Sequence, residues 1–237
     1  RPRISSTRCF DPSIVAPGGL NLGFFNAASL VALITAAILL LAALREPVEN
    51  LGIPVFPLAA LTIGLAAEKQ GDLFGLLTFS DQVRNFVRAR NGKAHYGVCR
   101  DVLYTLAPEM VTPDFTELFA FIRTRLRRRA LLIFLTSLDD PVLADAFQKD
   151  VALIGPQHLI MVNMIHPPEA KPLFAGDDVA TVDEIYQKLG GHVRWHGLRE
   201  LGRALHRHGI QFALLEHEKL CAETVTQYMN IKQRQLL

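Results

Sequence analysis

The sequence predicts an α/β protein, a mostly parallel sheet with helices on both faces, preceded by a hydrophobic helix of membrane type. Three observations carry this. Short apolar runs such as Leu131–Ser137 (LLIFLTS) and Leu159–Ile165 (LIMVNMI) have the near-continuous hydrophobicity of strands covered on both sides. Amphipathic stretches alternate with them, as helices packed on such a sheet do. Finally, no charged residue occurs between Asp11 and Arg45, and residues 20–44 form an apolar run long enough to span a hydrocarbon core of about 30 Å as a helix.

In order, residues 1–19 form an N-terminal segment, 20–44 the membrane-type helix and 53–237 the α/β domain. A central helix buried on all sides would also be hydrophobic all round, but such helices are usually shorter than this run. A cleaved signal peptide fits less well still, because its apolar region is about 7–15 residues and no small-residue cleavage site stands near Arg45. Residues 54–69 are expected to form a helix lying on the sheet, with Pro54 and Pro57 in its first turn, since about 15 apolar residues are too few to cross a bilayer. Strands follow at 73–79 and 83–87, then helices at 95–106 and 114–128. A strand at 130–136, a helix at 141–153 and a strand at 158–164 come next. Two helices at 181–189 and 198–208, a strand at 210–215 and a helix at 221–235 complete the domain.

With 237 residues, 50% hydrophobic and 20% charged, the chain has material for one sizeable domain beside the membrane segment. A net charge of +2 gives no case for nucleic acid, whose partners carry a basic stripe and a far higher pI. Cys9, Cys99 and Cys221 are far apart, so neither a disulfide framework nor a zinc site is signalled. A reducing compartment is the simplest expectation.

In open α/β sheets ligands bind beyond the carboxyl ends of the strands. The residues there are Thr78, Ser80 and Asp81, then Thr136, Ser137, Asp139 and Asp140, then Asn163 and His166. Oxygen donors dominate, so a hard cation such as Mg²⁺ would suit them better than zinc. The plainer account is that Asp139-Asp140-Pro141 caps the next helix, and that Thr112 or Asp114 caps an earlier one.

His192, His196, His206 and His208 lack the Glu that a helix-borne zinc pair of the H-E-x-x-H kind requires, which leaves structural roles. Ser80 lacks the glycine-flanked turn of a hydrolase nucleophile, and nothing marks a histidine partner for it. No catalytic residue is therefore nominated. The arginines from Arg123 to Arg129 are expected in the last turns of a helix, complementing its macrodipole. They would also suit anionic lipid or an acidic face on a partner.

The runs 71–106 (GDLFGLLTFSDQVRNFVRARNGKAHYGVCRDVLYTL), 126–141 (LRRRALLIFLTSLDDP) and 222–237 (AETVTQYMNIKQRQLL) together resemble the C-terminal half of bacterial proteins in domain-of-unknown-function family fifty-eight. The resemblance spans about residues 58–237. It implies a Rossmann-like domain of the von Willebrand factor A-like kind, N-terminal membrane helices, and work in protein interaction or assembly beside a MoxR-type AAA+ ATPase. Such domains hold a metal through an Asp-x-Ser-x-Ser loop after the first strand, a threonine from a second loop and an aspartate ending the central strand.

This chain departs from that pattern. Ser137 stands where the central aspartate would fall, with Asp139 two residues later, and upstream of the 54–69 helix there is only the apolar run and Arg45–Glu49. Asp11-Pro-Ser13 has half of the loop pattern, but Val15 replaces its second serine. The segment that precedes the A-like domain in the family, an Arg-Glu-Tyr followed by Gly-Asp and an Asp-Trp pair, is also absent here. No metal or other cofactor is therefore expected. Thr112, Asp114, Ser137, Asp139 and Asp140 remain the candidates for a residual Mg²⁺ site, and with it for a Mg-dependent ligand-binding or adhesion domain.

The expectation is a non-catalytic, membrane-anchored interaction module that meets lipid through 20–44 and docks a MoxR-type ATPase or its client. Arg1, Arg3 and Arg8 against the single Arg45 would place the domain outside by charge bias. A cytoplasmic ATPase partner requires the opposite, which an upstream helix pairing with 20–44 would restore. The cytoplasmic face is the one expected.

Overall fold

A computed structural model describes residues 52–107, 111–173 and 181–234. The membrane-type helix at 20–44, Asp11–Ser13, Arg45–Glu49 and the segment 1–19 lie outside them. Among the described residues, no helix is long and apolar enough to cross a membrane.

The elements run α1 (Gly52–Lys69), β1 (Phe74–Phe79), β2 (Val83–Arg90), α2 (Lys93–Tyr104), α3 (Phe115–Arg125), β3 (Leu131–Leu135), α4 (Pro141–Val151), β4 (Leu159–Ile165), α5 (Val182–Arg207), β5 (Gln211–Leu215) and α6 (Leu220–Gln233). The chain is thus a mixed α/β protein. The expected mostly parallel sheet is divided, however: β3, β4 and β5 form a three-stranded parallel sheet in that order, while β1 and β2 form a separate antiparallel hairpin.

The buried stripe of α1 is Val55, Ala59, Ile63 and Ala67, one residue per turn. Val55 and Ala59 pack on Leu220 and Cys221 of α6 and on Leu135, Ile165 and Leu215 at the ends of the three parallel strands. The helix does lie on the sheet. It begins at Gly52, though, so Pro57 sits inside it rather than in its first turn. Packing of the buried stripe holds this segment helical although proline supplies no amide donor.

Both strand sets are parts of one layer, because helices on each face touch both. On one face, α3 sets Phe115 against Phe79 of β1, Phe119 against Phe134 of β3 and Phe121 against Phe86 of β2 (ring centroids 5.9, 5.6 and 5.3 Å apart). On the other, the Phe74 ring of β1 lies under Gly64 of α1, whose earlier turns cover Leu135 of β3. Phe86 pairs with Leu77, so α3 runs from the end of β1 back toward its start.

The core consists of α3, α4 and α5 against this layer, with a phenylalanine group of Phe115, Phe119, Phe134 and Phe147 in edge-on or tilted contact. Leu77, Phe79 and Val83 of the hairpin pack on the same core as Leu132 of β3.

Two helix boundaries correct the expectation. Residues 182–207 form one helix, not two, although Gly190 and Gly191 stand in its middle. Gly191 is buried where its backbone meets the carbonyl of Glu169, with no room for a Cβ, so packing requires a residue that helix propensity disfavours. Gly209 then ends the helix at φ +73°, the left-handed geometry that follows many helix C-termini. Helix α3 stops at Arg125, so Arg127, Arg128 and Arg129 lie beyond it in the link to β3. Leu126 leaves the helical conformation to pack on the core, and the Gln157 side chain donates to the carbonyls of Leu126 and Arg127.

Candidate functional site

The ends of β1 and β3, with the segment entering α3, bring the oxygen-bearing residues to one rim of the layer. Asp114 N donates to the carbonyl of Ser80 at 3.1 Å, which ties the second candidate loop to the hairpin turn. Across the rim, residues 136–140 leave β3.

Most of these side chains have local structural work. Asp140 accepts from Val142 N at 2.7 Å with Pro141 opening the helix, and Asp114 accepts from Glu117 N at 3.0 Å. Both are N-caps, the plainer of the two accounts offered by their sequence context. Ser137 Oγ donates to Asp139 Oδ1 at 2.6 Å. Thr112 is exposed. Ser80 donates to Asp81 at 2.8 Å, and Arg84 holds both, at 2.9 and 3.0 Å. The Ser80 hydrogen bond, helped by the Arg84 charge against a smaller burial effect, keeps the Asp81 carboxyl below its ordinary value.

Deeper, Thr136 and Asn163 are buried. Asn163 donates to Thr224 Oγ1 (3.1 Å) and Gln227 Oε1 (2.9 Å), so this strand-end amide fastens α6 to β4. Among the described residues, no group of three or more His, Cys, Asp or Glu is placed to hold a metal ion. The residual Mg²⁺ candidates share a rim without forming such a cluster.

The histidines expected on two helices share α5 and its C-cap. His192 Nδ1 accepts from Leu173 N at 3.1 Å and its ring stacks on Trp195, which packs on the core and also meets the Arg199 guanidinium. His196, His206 and His208 are exposed.

Two arrangements are not signalled by any motif. Cys99 is fully buried with its Sγ 3.7 Å from His95 Nε2, the outline of a thiol–imidazole pair. Yet Nε2 also lies 2.6 Å from the carbonyl of Phe74, which has no hydrogen to give, so this nitrogen carries the proton and donates to that oxygen. It has no lone pair for the thiol, and burial pushes the Cys99 thiol up, away from the thiolate. The pair is structural.

The other arrangement joins the two ends of the domain. Asp72, at the turn into β1, accepts from Tyr228 Oη and from Lys232 Nζ, the latter at 2.6 Å. Burial alone would raise the Asp72 carboxyl, but the two hydrogen bonds and the Lys232 charge outweigh it and hold the group below its ordinary value. Burial and the adjacent carboxylate push the Tyr228 phenol up. Asp72 and Lys232 are 160 residues apart, a separation over which no spacing rule operates.

The family described as "Protein of unknown function DUF58" matches residues 55–183, from α1 into the start of α5. No curated protein matches the chain.

Proposed function

This chain belongs to the family of proteins of unknown function DUF58, and from that premise we propose that it is a membrane-anchored, non-catalytic interaction module. Its domain is of the von Willebrand factor A-like, Rossmann-like kind, held at the cytoplasmic face by residues 20–44. It works with a MoxR-type AAA+ ATPase in the assembly or maturation of client proteins.

The observation that carries this reading is the use to which the rim oxygens are put. Asp114 and Asp140 cap helices, Ser80 and Asp81 close a turn around Arg84, and Asn163 anchors α6. A rim committed to holding the scaffold together leaves binding to the outer surfaces of the domain. Those surfaces include the exposed arginines 123, 125 and 127–129, charges suited to an acidic partner face.

The test is a pull-down of the full-length chain from membranes, read for a co-purifying ATPase. Enrichment of an AAA+ ATPase over a control membrane protein is the expected result, and its absence under crosslinking would defeat the proposal. The competing function, a Mg-dependent ligand-binding or adhesion domain, is favoured by the Ser137–Asp139 pair at the central strand end. Calorimetric titration with Mg²⁺ separates the two: micromolar binding abolished by Asp139→Ala would replace the first reading with the second.

A further inference from the structure

The three parallel strands end at one rim, and two helices begin at or beyond it. β3, β4 and β5 close on Leu135, Ile165 and Leu215, and all three residues pack on the cluster to which Val55 and Ala59, near the start of α1, belong. α1 therefore begins at the carboxyl rim of the sheet. On the other face α5 runs against β5, for Gly202 lies on the Phe212 ring and Ile210 N donates to the carbonyl of Leu205. From Phe212 to Leu215 the strand rises about 10 Å, which the helix covers in about seven residues. α5 thus passes the strand ends near Trp195, and its first turns project about 20 Å beyond them. They meet there the loop that follows β4, through Gly191 on the carbonyl of Glu169 and His192 on Leu173 N.

This projecting part carries an apolar stripe. Val182, Ile185, Tyr186, Leu189 and Val193 share one helix face and are 45–68% exposed. The same face continues as His196, Glu200 and Arg203, also exposed, where α5 runs beside the sheet. It is apolar beyond the rim and polar within it. A partner helix lying along α5 would meet both halves, whereas a boundary between hydrocarbon and water at the level of the rim matches the change. Val142, exposed in the first turn of α4, adds an apolar side chain at the same rim.

The tether leads to this end as well. Residues 45–51 separate Gly52 from the apolar run ending at Leu44, a span of no more than about 28 Å even when fully extended. A bilayer holding 20–44 lies within that distance of the rim, which is comparable with the projection of α5.

We propose that the first turns of α5, residues 182–193, are a second membrane contact, with their apolar stripe in the interfacial layer of the bilayer and Tyr186 at headgroup level. The inference rests on the membrane-anchored reading and deepens it by naming the end of the domain that faces lipid. Arg127, Arg128 and Arg129, which lead into β3, then stand at the opposite end, turned toward a partner in the aqueous phase.

The test uses the full-length chain in phosphatidylcholine nanodiscs. Neutral lipid suffices, because the projecting turns and their flank carry both signs of charge, Asp183 and Glu184 against Lys188 and Arg194. With Cys9→Ser in place and Cys99 and Cys221 buried, the single changes Tyr186→Cys, Val193→Cys, Glu200→Cys and Ala36→Cys each take an environment-sensitive fluorophore. Lipids spin-labelled near the top or the end of the acyl chain read contact by quenching. The labels at positions 186 and 193 are expected to lose about half of their fluorescence or more, and the label at 200 about a tenth or less.

Equal quenching at 186, 193 and 200 would overturn the proposal. So would labels at 186 and 193 that are shielded from water yet untouched by lipid, since the stripe then meets protein. Quenching at 36 with none at 186 or 193 removes the second contact and leaves the anchor standing. Quenching at 186 and 193 with none at 36 upholds the contact and defeats the anchor.

Discussion

His158 shows how much one side chain can set. It is 5% exposed at the entry to β4, and neither ring nitrogen has a hydrogen-bond partner among the described residues. Burial pushes its pKa below the ordinary 6.5, so the unfolded chain binds a proton that the folded chain resists. The folded-state value is the lower one. Stability from this group is therefore complete above about pH 6.5 and declines as pH falls from there toward the folded pKa. His158→Leu should flatten that decline and raise stability at neutral pH by about 1 kcal/mol, since a buried unsatisfied polar group is removed. Urea midpoints between pH 5 and 7.5 would show it, with a residual slope from His217, which burial also pushes down.

Asp72 acts at more acid pH. Its carboxyl lies below the ordinary 3.8, so its contribution is present above that value and is lost as pH falls through the lower folded-state pKa. The Asp72 and Lys232 side chains are each about one-third exposed, and solvent screening reduces what the pair is worth. Asp72→Asn is expected to cost about 1 kcal/mol at pH 7 and almost nothing near pH 2; equal losses at both would show that the carboxylate charge is not what matters.

At the scale of elements, the sequence was most legible where the signal is local. The apolar runs at 131–135 and 159–165, the caps at Asp114 and Asp140 and the proline opening α4 each rest on a few neighbouring residues, and all are found as expected. Signals that depend on distant residues were not legible. Gly190-Gly191 suggests an interruption in α5, but the cause of Gly191 is the carbonyl of Glu169 in the preceding loop, which only the folded backbone brings near. The pairing of β1 with β2, rather than with the parallel strands, likewise turns on the hairpin register and not on composition.

Gly191→Ala tests this account. A gain in helix propensity of just under about 1 kcal/mol should be overridden by a clash, leaving a net destabilisation of about 1–3 kcal/mol in thermal melts. Gly190→Ala, where a Cβ meets nothing, should stabilise. Asp140→Ala should cost about 1 kcal/mol through loss of the cap.

For the molecule as a whole, the proposed orientation makes a direct prediction. Alkaline phosphatase fused after Leu237 should be inactive, and a green fluorescent reporter at the same place should fluoresce; the opposite pattern would put the domain on the far side of the membrane. The candidate site was legible as a set of residues and not as a device. Ser80, Asp114, Ser137 and Asp140 do gather near the strand ends, as α/β geometry demands, but which oxygens would be consumed by caps and turns could be weighed only as alternatives. The identity of each partner was settled by the fold.

The clasp of Tyr228 and Lys232 on Asp72, together with the seating of α1 on Leu220 and Cys221, has a consequence for biosynthesis. The first described helix is covered by the last one described. A nascent chain leaving the ribosome therefore keeps the apolar stripe of α1 incompletely covered until α6, more than 150 residues later, has been made, an interval in which chaperones gain their hold.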